Sequence, residues 1–345
     1  MRKIFRFATF FIIIGLLAFL GCAEDEGTDE MPLEIAGAAY VVNGAAQTIS
    51  VFDIAKSEFL SDVSIPIGKW PADIKIRGDF AYVVNTGDNN AQVIDLASNT
   101  TAGMIDIGDG TAPEKIAFAS DTKAYVSSNW TQSVKVVDLS SQTVINSIDV
   151  GVAPWGVAFA NGKVYVCNTG VVYGEETTYG QGTVSVIDAA TDSVLKTVDV
   201  ETNPTDVVVD DKGEVLVLCT GNYADITGKL VVIDSLTDSV ITAVDLGVAP
   251  SGITVTKDGM AYITSPVGLL SFDIAAGALS HDAASALTDF VGGSGLAADA
   301  AGNVYITVPD WTGGGKDKLL VMDASEQLIG AYPAGGGASM VAIKQ

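Results

Sequence analysis

Cationic side chains are scarce in this chain. Arg stands only at positions 2, 6 and 77 and His only at 281, and 18 Lys and Arg face 42 Asp and Glu for a formal net charge of −24. A nucleic-acid surface needs clustered Lys and Arg to displace counterions from phosphate, so that class of partner is excluded. Bidentate clamps on phosphate or carboxylate want Arg, and only Arg77 remains beyond the first few residues. Cys is scarce too: Cys22, Cys167 and Cys219 show no metal-ligand spacing. A Ser-His-Asp system would have to use His281 in Leu279-Ser280-His281-Asp282, which has no nucleophile turn, and His281 reads as a surface residue. The Gly runs at 313–315 and 335–337 make no phosphate loop, because Gly315-Lys316-Asp317 lacks the Ser or Thr and the helix. Long segments of helical period are absent, and the one long apolar run is at the N-terminus.

What the chain does have is Val, Ile, Thr and Gly in strand-sized runs, arranged in a repeat. The first element is Tyr40-Val41-Val42-Asn43, then Tyr82-Val83-Val84-Asn85, Tyr125-Val126, Tyr165-Val166-Cys167-Asn168, Leu216-Val217, Tyr262-Ile263 and Tyr305-Ile306. The second is an apolar run ending at Asp53, Asp95, Asp138, Asp188, Asp234, Asp273 and Asp323. A third is a Pro before an apolar strand, at Pro71, Pro113, Pro154, Pro204 and Pro250, with degenerate versions near Gly293 and Pro333. It reads Gly-x-x-Pro except at Pro204, where Glu201 replaces the Gly. The first elements recur every 40 to 51 residues, the period of a four-stranded propeller blade. The prediction is an all-β, seven-bladed β-propeller over residues 35–345. An Asp repeated seven times is structural, and each is expected to accept hydrogen bonds from the turn that follows.

Blade strands are labelled a to d from axis to rim. Strand a follows the Pro, b carries the Tyr, c ends in the Asp, and d follows. The chain starts at strand b, since Ala38-Ala39-Tyr40 has no strand a before it, and it ends on a lone strand a at 338–344. Seven complete blades therefore require the C-terminal strand to join the three N-terminal ones. This velcro closure removes both open edges. Cys167 and Cys219 fall one position apart on equivalent strands of adjacent blades, which leaves a disulfide and two buried small side chains both open.

The first 21 residues read as a leader. Arg2, Lys3 and Arg6 precede an apolar stretch at 7–20 that is short for a membrane span. It closes on Phe19-Leu20-Gly21-Cys22, which resembles a lipobox, with Phe19 where Leu is usual. That resemblance implies lipidation of Cys22, anchorage without a spanning segment, and a cell-envelope address, at the outer membrane or cell surface in a Gram-negative cell. Residues 22–34 read as an acidic, solvated tether.

The Tyr-Val-x-Asn elements, the Asp-terminated runs and the Pro loops together resemble the YVTN (YncE-like, surface-layer type) propeller family, over residues 35–345. The resemblance implies binding, adhesion or scaffolding, with structural repeat residues and no cofactor. Some surface lipoproteins of this fold capture corrinoids, and lactonase-type propellers are enzymes.

Because strands alternate in direction, b–c and d–a loops share one face of the ring. Trp70, Trp155 and Tyr332 flank d–a loops, while Trp130, Tyr173, Tyr179, Tyr223 and Trp311 fall in b–c loops. The longest loops, at 171–182, 221–228 and 309–318, are also b–c loops. These eight aromatics are the candidate ligand-binding residues. The alternative is that they fill blade junctions, Trp155 above all. Asp73, Glu114, Asp206 and Lys115 start strands a near the axis, where three carboxylates could hold a divalent ion. A solvated acidic funnel is the simpler reading, and no metal site is assigned. The expected function is non-catalytic binding of a small molecule or an envelope protein through the aromatic face. The alternatives are corrinoid capture and a central-metal hydrolase or lactonase.

Overall fold

A computed structural model describes residues 37–345. The leader, Cys22 and the acidic tether lie outside the described residues. The repeat folds into seven four-stranded antiparallel sheets. Six follow the chain, over 71–106, 113–149, 154–199, 204–245, 252–281 and 296–333. The remaining sheet, blade 1, is composite: Ala38–Asn43, Thr48–Asp53 and Glu58–Pro66 take Ala338–Lys344 as their innermost strand, and the six above are blades 2 to 7 in chain order. Ala39 pairs with Ile343 and Val41 with Val341 across that seam. The fold is the seven-bladed propeller with velcro closure. Among the described residues no helix is long and apolar enough to cross a membrane.

Burial explains the composition of each strand. Ala38–Asn43, a strand b, is buried throughout, because blades cover it on both sides. Thr100–Asp106, a strand d at the rim, buries only Ile105. The cores lie between blades. One joins Tyr165, Cys167 and Val186 of blade 4 to Val207, Val217 and Cys219 of blade 5. Both thiols are free and buried, and burial raises the pKa of each. Cys167 Sγ donates to the carbonyl of Asp206 at 3.8 Å. In blade 3 the Ser127 hydroxyl makes the matching bond to the Trp155 carbonyl. Cys167 therefore stands in for a repeat hydroxyl that links blades.

All seven strand-c Asp accept backbone N–H groups of the following turn, as Asp95 does from Ala97 and Ser98 at 2.9 Å. All seven turns hold a left-handed residue: Ser57, Asn99, Gln142, Asp192, Asp238 and Gly277 directly before strand d, and Glu326 one residue earlier. A register shift follows in each c–d pairing. This is a turn closed by a bulge, which adds twist to the outermost strand and spoils it as a template for edge pairing. The left-handed residue has a second use. Tyr125 donates to Asp192 Oδ1 at 2.5 Å and Tyr165 to Asp238 Oδ1 at 2.6 Å, each in the next blade. Lys123 and Lys163 join the same carboxylates at 2.7 and 2.8 Å. Tyr262 reaches Glu326 at 3.2 Å, and His281 pairs with the other oxygen of Glu326 at 2.9 Å. The repeat Tyr thus ties each of these blades to its successor.

The Gly of the Pro loop and the Asn of strand b are also linked. A Cβ on Gly68, Gly151 or Gly335 would lie 2.6, 2.6 or 2.5 Å from the Cγ of Asn85, Asn168 or Asn43. Asn168 is held there by Thr183, Ser185 and the Gly151 N–H. Where Cys219 replaces the Asn, Glu201 replaces the Gly.

Candidate ligand-binding face

Four d–a loops place a left-handed residue immediately before the Pro: Trp70, Ala112, Ala153 and Asn203. The twist turns its carbonyl toward the adjacent b–c loop, where Thr86, Asn129, Thr169 and Thr220 donate to it at 2.9 to 3.2 Å. The two loop sets are therefore joined on one face. The positive φ of Trp70 follows from this repeated clamp.

The eight candidate aromatics separate into three groups on this face. Trp155, Tyr173, Tyr179 and Tyr223 line one cavity of about 540 Å³ over blades 4, 5 and 6. The rings of Tyr179 and Tyr223 meet edge-on at 6.4 Å. The loop at 171–182 folds into a small hairpin of Val171–Val172 and Thr178–Tyr179, which raises Tyr173 and Tyr179 as one wall. Trp70, Trp130 and Trp311 are 70 to 80% exposed and stand apart from the cavity. Tyr332 lies in strand d of blade 7 rather than in a loop, and packs on Phe52 with centroids 4.6 Å apart. It fills a blade junction.

The cavity opens into the axial channel. Lys115, Asp206 and Ser251 line both it and the upper channel, a space of about 210 Å³ walled by strands a. Asp73 accepts the Ile116 N–H at 3.0 Å and pairs with Lys115 at 3.6 Å. Burial pulls the Lys115 pKa down, but Asp73, Asp206 and Glu114 more than offset this and hold it above the ordinary value. Glu114, beside Lys115 in the same strand a, is buried, and desolvation raises its pKa to about 7 against the opposing pull of Lys115. Burial raises Tyr173 as well, with Glu114, Tyr179 and Tyr223 adding to the shift. Among the described residues no three His, Cys, Asp or Glu side chains converge as metal ligands. Lys115 sits among the carboxylates that sequence placed at the axis. At the opposite end, Lys75 and Arg77 line a second opening of about 380 Å³.

Sequence spacing placed the aromatics on one face but not their division into cavity wall, exposed crown and junction. It also missed Asn203, Thr205 and Thr220, polar wall residues that differ little from ordinary repeat positions.

No family model matches the chain, and no curated protein does. Solved structures do. The chain resembles the Kuenenia stuttgartiensis hydrazine synthase at 17% identity and a TM-score of 0.65, over 79% of this chain and 89% of that one. It resembles dihydro-heme d1 dehydrogenase NirN, solved in complex with DHE, at 13% identity and a TM-score of 0.59, over 88% and 74%. At these identities the likeness is one of fold.

Proposed function

We propose that this chain is a non-catalytic envelope lipoprotein of YVTN type, anchored through Cys22, that binds a ligand through the b–c/d–a face. The observation that carries the reading is the convergence of Trp155, Tyr173, Tyr179 and Tyr223 on one cavity. Its volume falls in the range of roughly 300–1,000 Å³ usual for small-molecule sites. Aromatic walls interleaved with polar side chains on a rigid scaffold suit recognition better than chemistry, for which no nucleophile and base are paired among the described residues of the cavity.

Corrinoid capture is the second reading. The NirN structure was solved in complex with DHE; for this chain the corrinoid reading rests on the aromatic cavity walls and the Asn203 amide. A metal-dependent hydrolase or lactonase would need the carboxylates that Lys115 now engages. Metal analysis of the purified protein tests that alternative. Calorimetric titration of the full chain with corrinoids, haem and divalent cations tests the rest. One-to-one corrinoid binding lost in Trp155→Ala or Tyr173→Ala supports uptake. Corrinoid binding unchanged in both variants would remove the cavity from the account.

A further inference from the structure

The walls of the cavity show which class of ligand it takes. Four aromatic side chains line one space, and two of them, Tyr179 and Tyr223, meet edge-on. Asp206 lies on its floor. Its Oδ1 accepts the Val207 N–H at 3.0 Å; it makes no ion pair within 4 Å among the described residues, and its charge also acts on nearby Lys115. Lys115 is the only cation lining the cavity, and its partner is Asp73, on the channel side. The framing loops add Glu175, Glu176 and Asp225 and contain no Lys or Arg. Lys229, just beyond, is paired with Glu201 at 3.0 Å.

Aromatic faces attract a cation through the ring quadrupole, and a nearby carboxylate adds to that field. An acidic rim raises the local concentration of cations and repels anions. We infer that the cavity binds an organic cation, an alkylated ammonium group held by Trp155, Tyr173, Tyr179 and Tyr223 over the Asp206 carboxylate. This rests on the ligand-binding reading of the same cavity. The fixed aromatic walls select for a bulky, weakly hydrated head, and inorganic cations lack the apolar surface to match them.

The test is calorimetry on the full chain in mild detergent with choline, tetramethylammonium and 3,3-dimethylbutan-1-ol, the uncharged carbon analogue of choline. The expected result is saturable choline binding at least tenfold tighter than the alcohol. Asp206→Asn should weaken choline at least fivefold and leave the alcohol unchanged. Tyr173→Ala, at an exposed position that does not threaten folding, should weaken choline about tenfold. Equal binding of choline and alcohol, both lost in Tyr173→Ala, overturns the cation assignment and leaves the cavity a binding site. Failure of both ammonium probes, with a corrinoid or haem bound at the cavity, overturns it as well. Failure of every probe defeats this assignment and the ligand-binding reading together.

Discussion

The Tyr165 hydroxyl donates to Asp238 Oδ1 of the next blade at 2.6 Å, and Lys163 meets the same carboxylate at 2.8 Å. The carboxylate belongs to the left-handed residue that closes the c–d turn. One residue therefore shapes its own turn and ties down the neighbouring blade. Tyr165→Phe removes only the hydroxyl, and the expected loss is about 1–2 kcal/mol. Denaturant unfolding should show a lower midpoint with an unchanged slope.

Gly151 is fixed by contact and not by conformation, since its φ is not left-handed. A methyl there meets an Asn168 side chain that is bonded to Thr183, Ser185 and the Gly151 N–H. Gly151→Ala should cost about 1–3 kcal/mol. Adding Asn168→Ala should cost less in the Gly151→Ala background than in the parent, because it clears the clash. A double-mutant cycle measures the difference. Gly162→Ala is the control: nothing lies within 4 Å, so only its φ of +78° opposes the change.

Glu114 links stability to pH. Desolvation lifts its pKa from 4.5 to about 7, so between those values the folded state holds a proton that the unfolded state has released. Its contribution is full below pH 4.5 and is lost as pH rises through about 7. Relative to Glu114→Gln, the parent should lose on the order of 2–3 kcal/mol across that window. Asp95 and Asp188, at the ends of their strands c, carry the opposite sign. Both are held low mainly by turn N–H groups, and their support is lost as pH falls through the acid range. They are common to both proteins and cancel in the comparison. Thermal melts of the pair from pH 4 to 8 give the curve, and parallel curves would show that Glu114 does not titrate there.

Closure depends on the last strand. Asp317 is buried and accepts the N–H groups of Asp310, Gly337 and Ala338, so the blade 7 loop grips the start of that strand. Removing residues 338–345 strips Ala38–Asn43 of its inner partner and opens an edge. The truncated chain should unfold less cooperatively and self-associate. Calorimetric unfolding and light scattering read both outcomes. Asp317→Asn should give a milder form of the same defect.

The seven blades and the seam were legible because their signals are local and repeated. Tyr-Val runs, terminal Asp residues and a missing first strand need no tertiary information. The role of the repeat Tyr was not legible, since its partner lies 64 to 73 residues away in the next blade. The c–d bulge was hidden because its left-handed position is filled by Ser, Asn, Gln, Asp, Gly or Glu, with no residue type in common. For the site, loop length and aromatic placement identified the face. Which aromatics share a cavity depends on how the 171–182 hairpin folds over blade 5. Tyr332 misled because an aromatic before a Pro marks a loop head in Trp70-Pro71, yet here strand d continues to Pro333.

The seam also determines orientation. Gly37 sits at the head of a strand b, beside the c–d turn, where its carbonyl accepts the Ile54 N–H at 3.3 Å. The chain therefore enters the ring on the side remote from the cavity. Anything joined ahead of Gly37 thus starts from the face opposite the aromatic mouth and leaves that mouth clear.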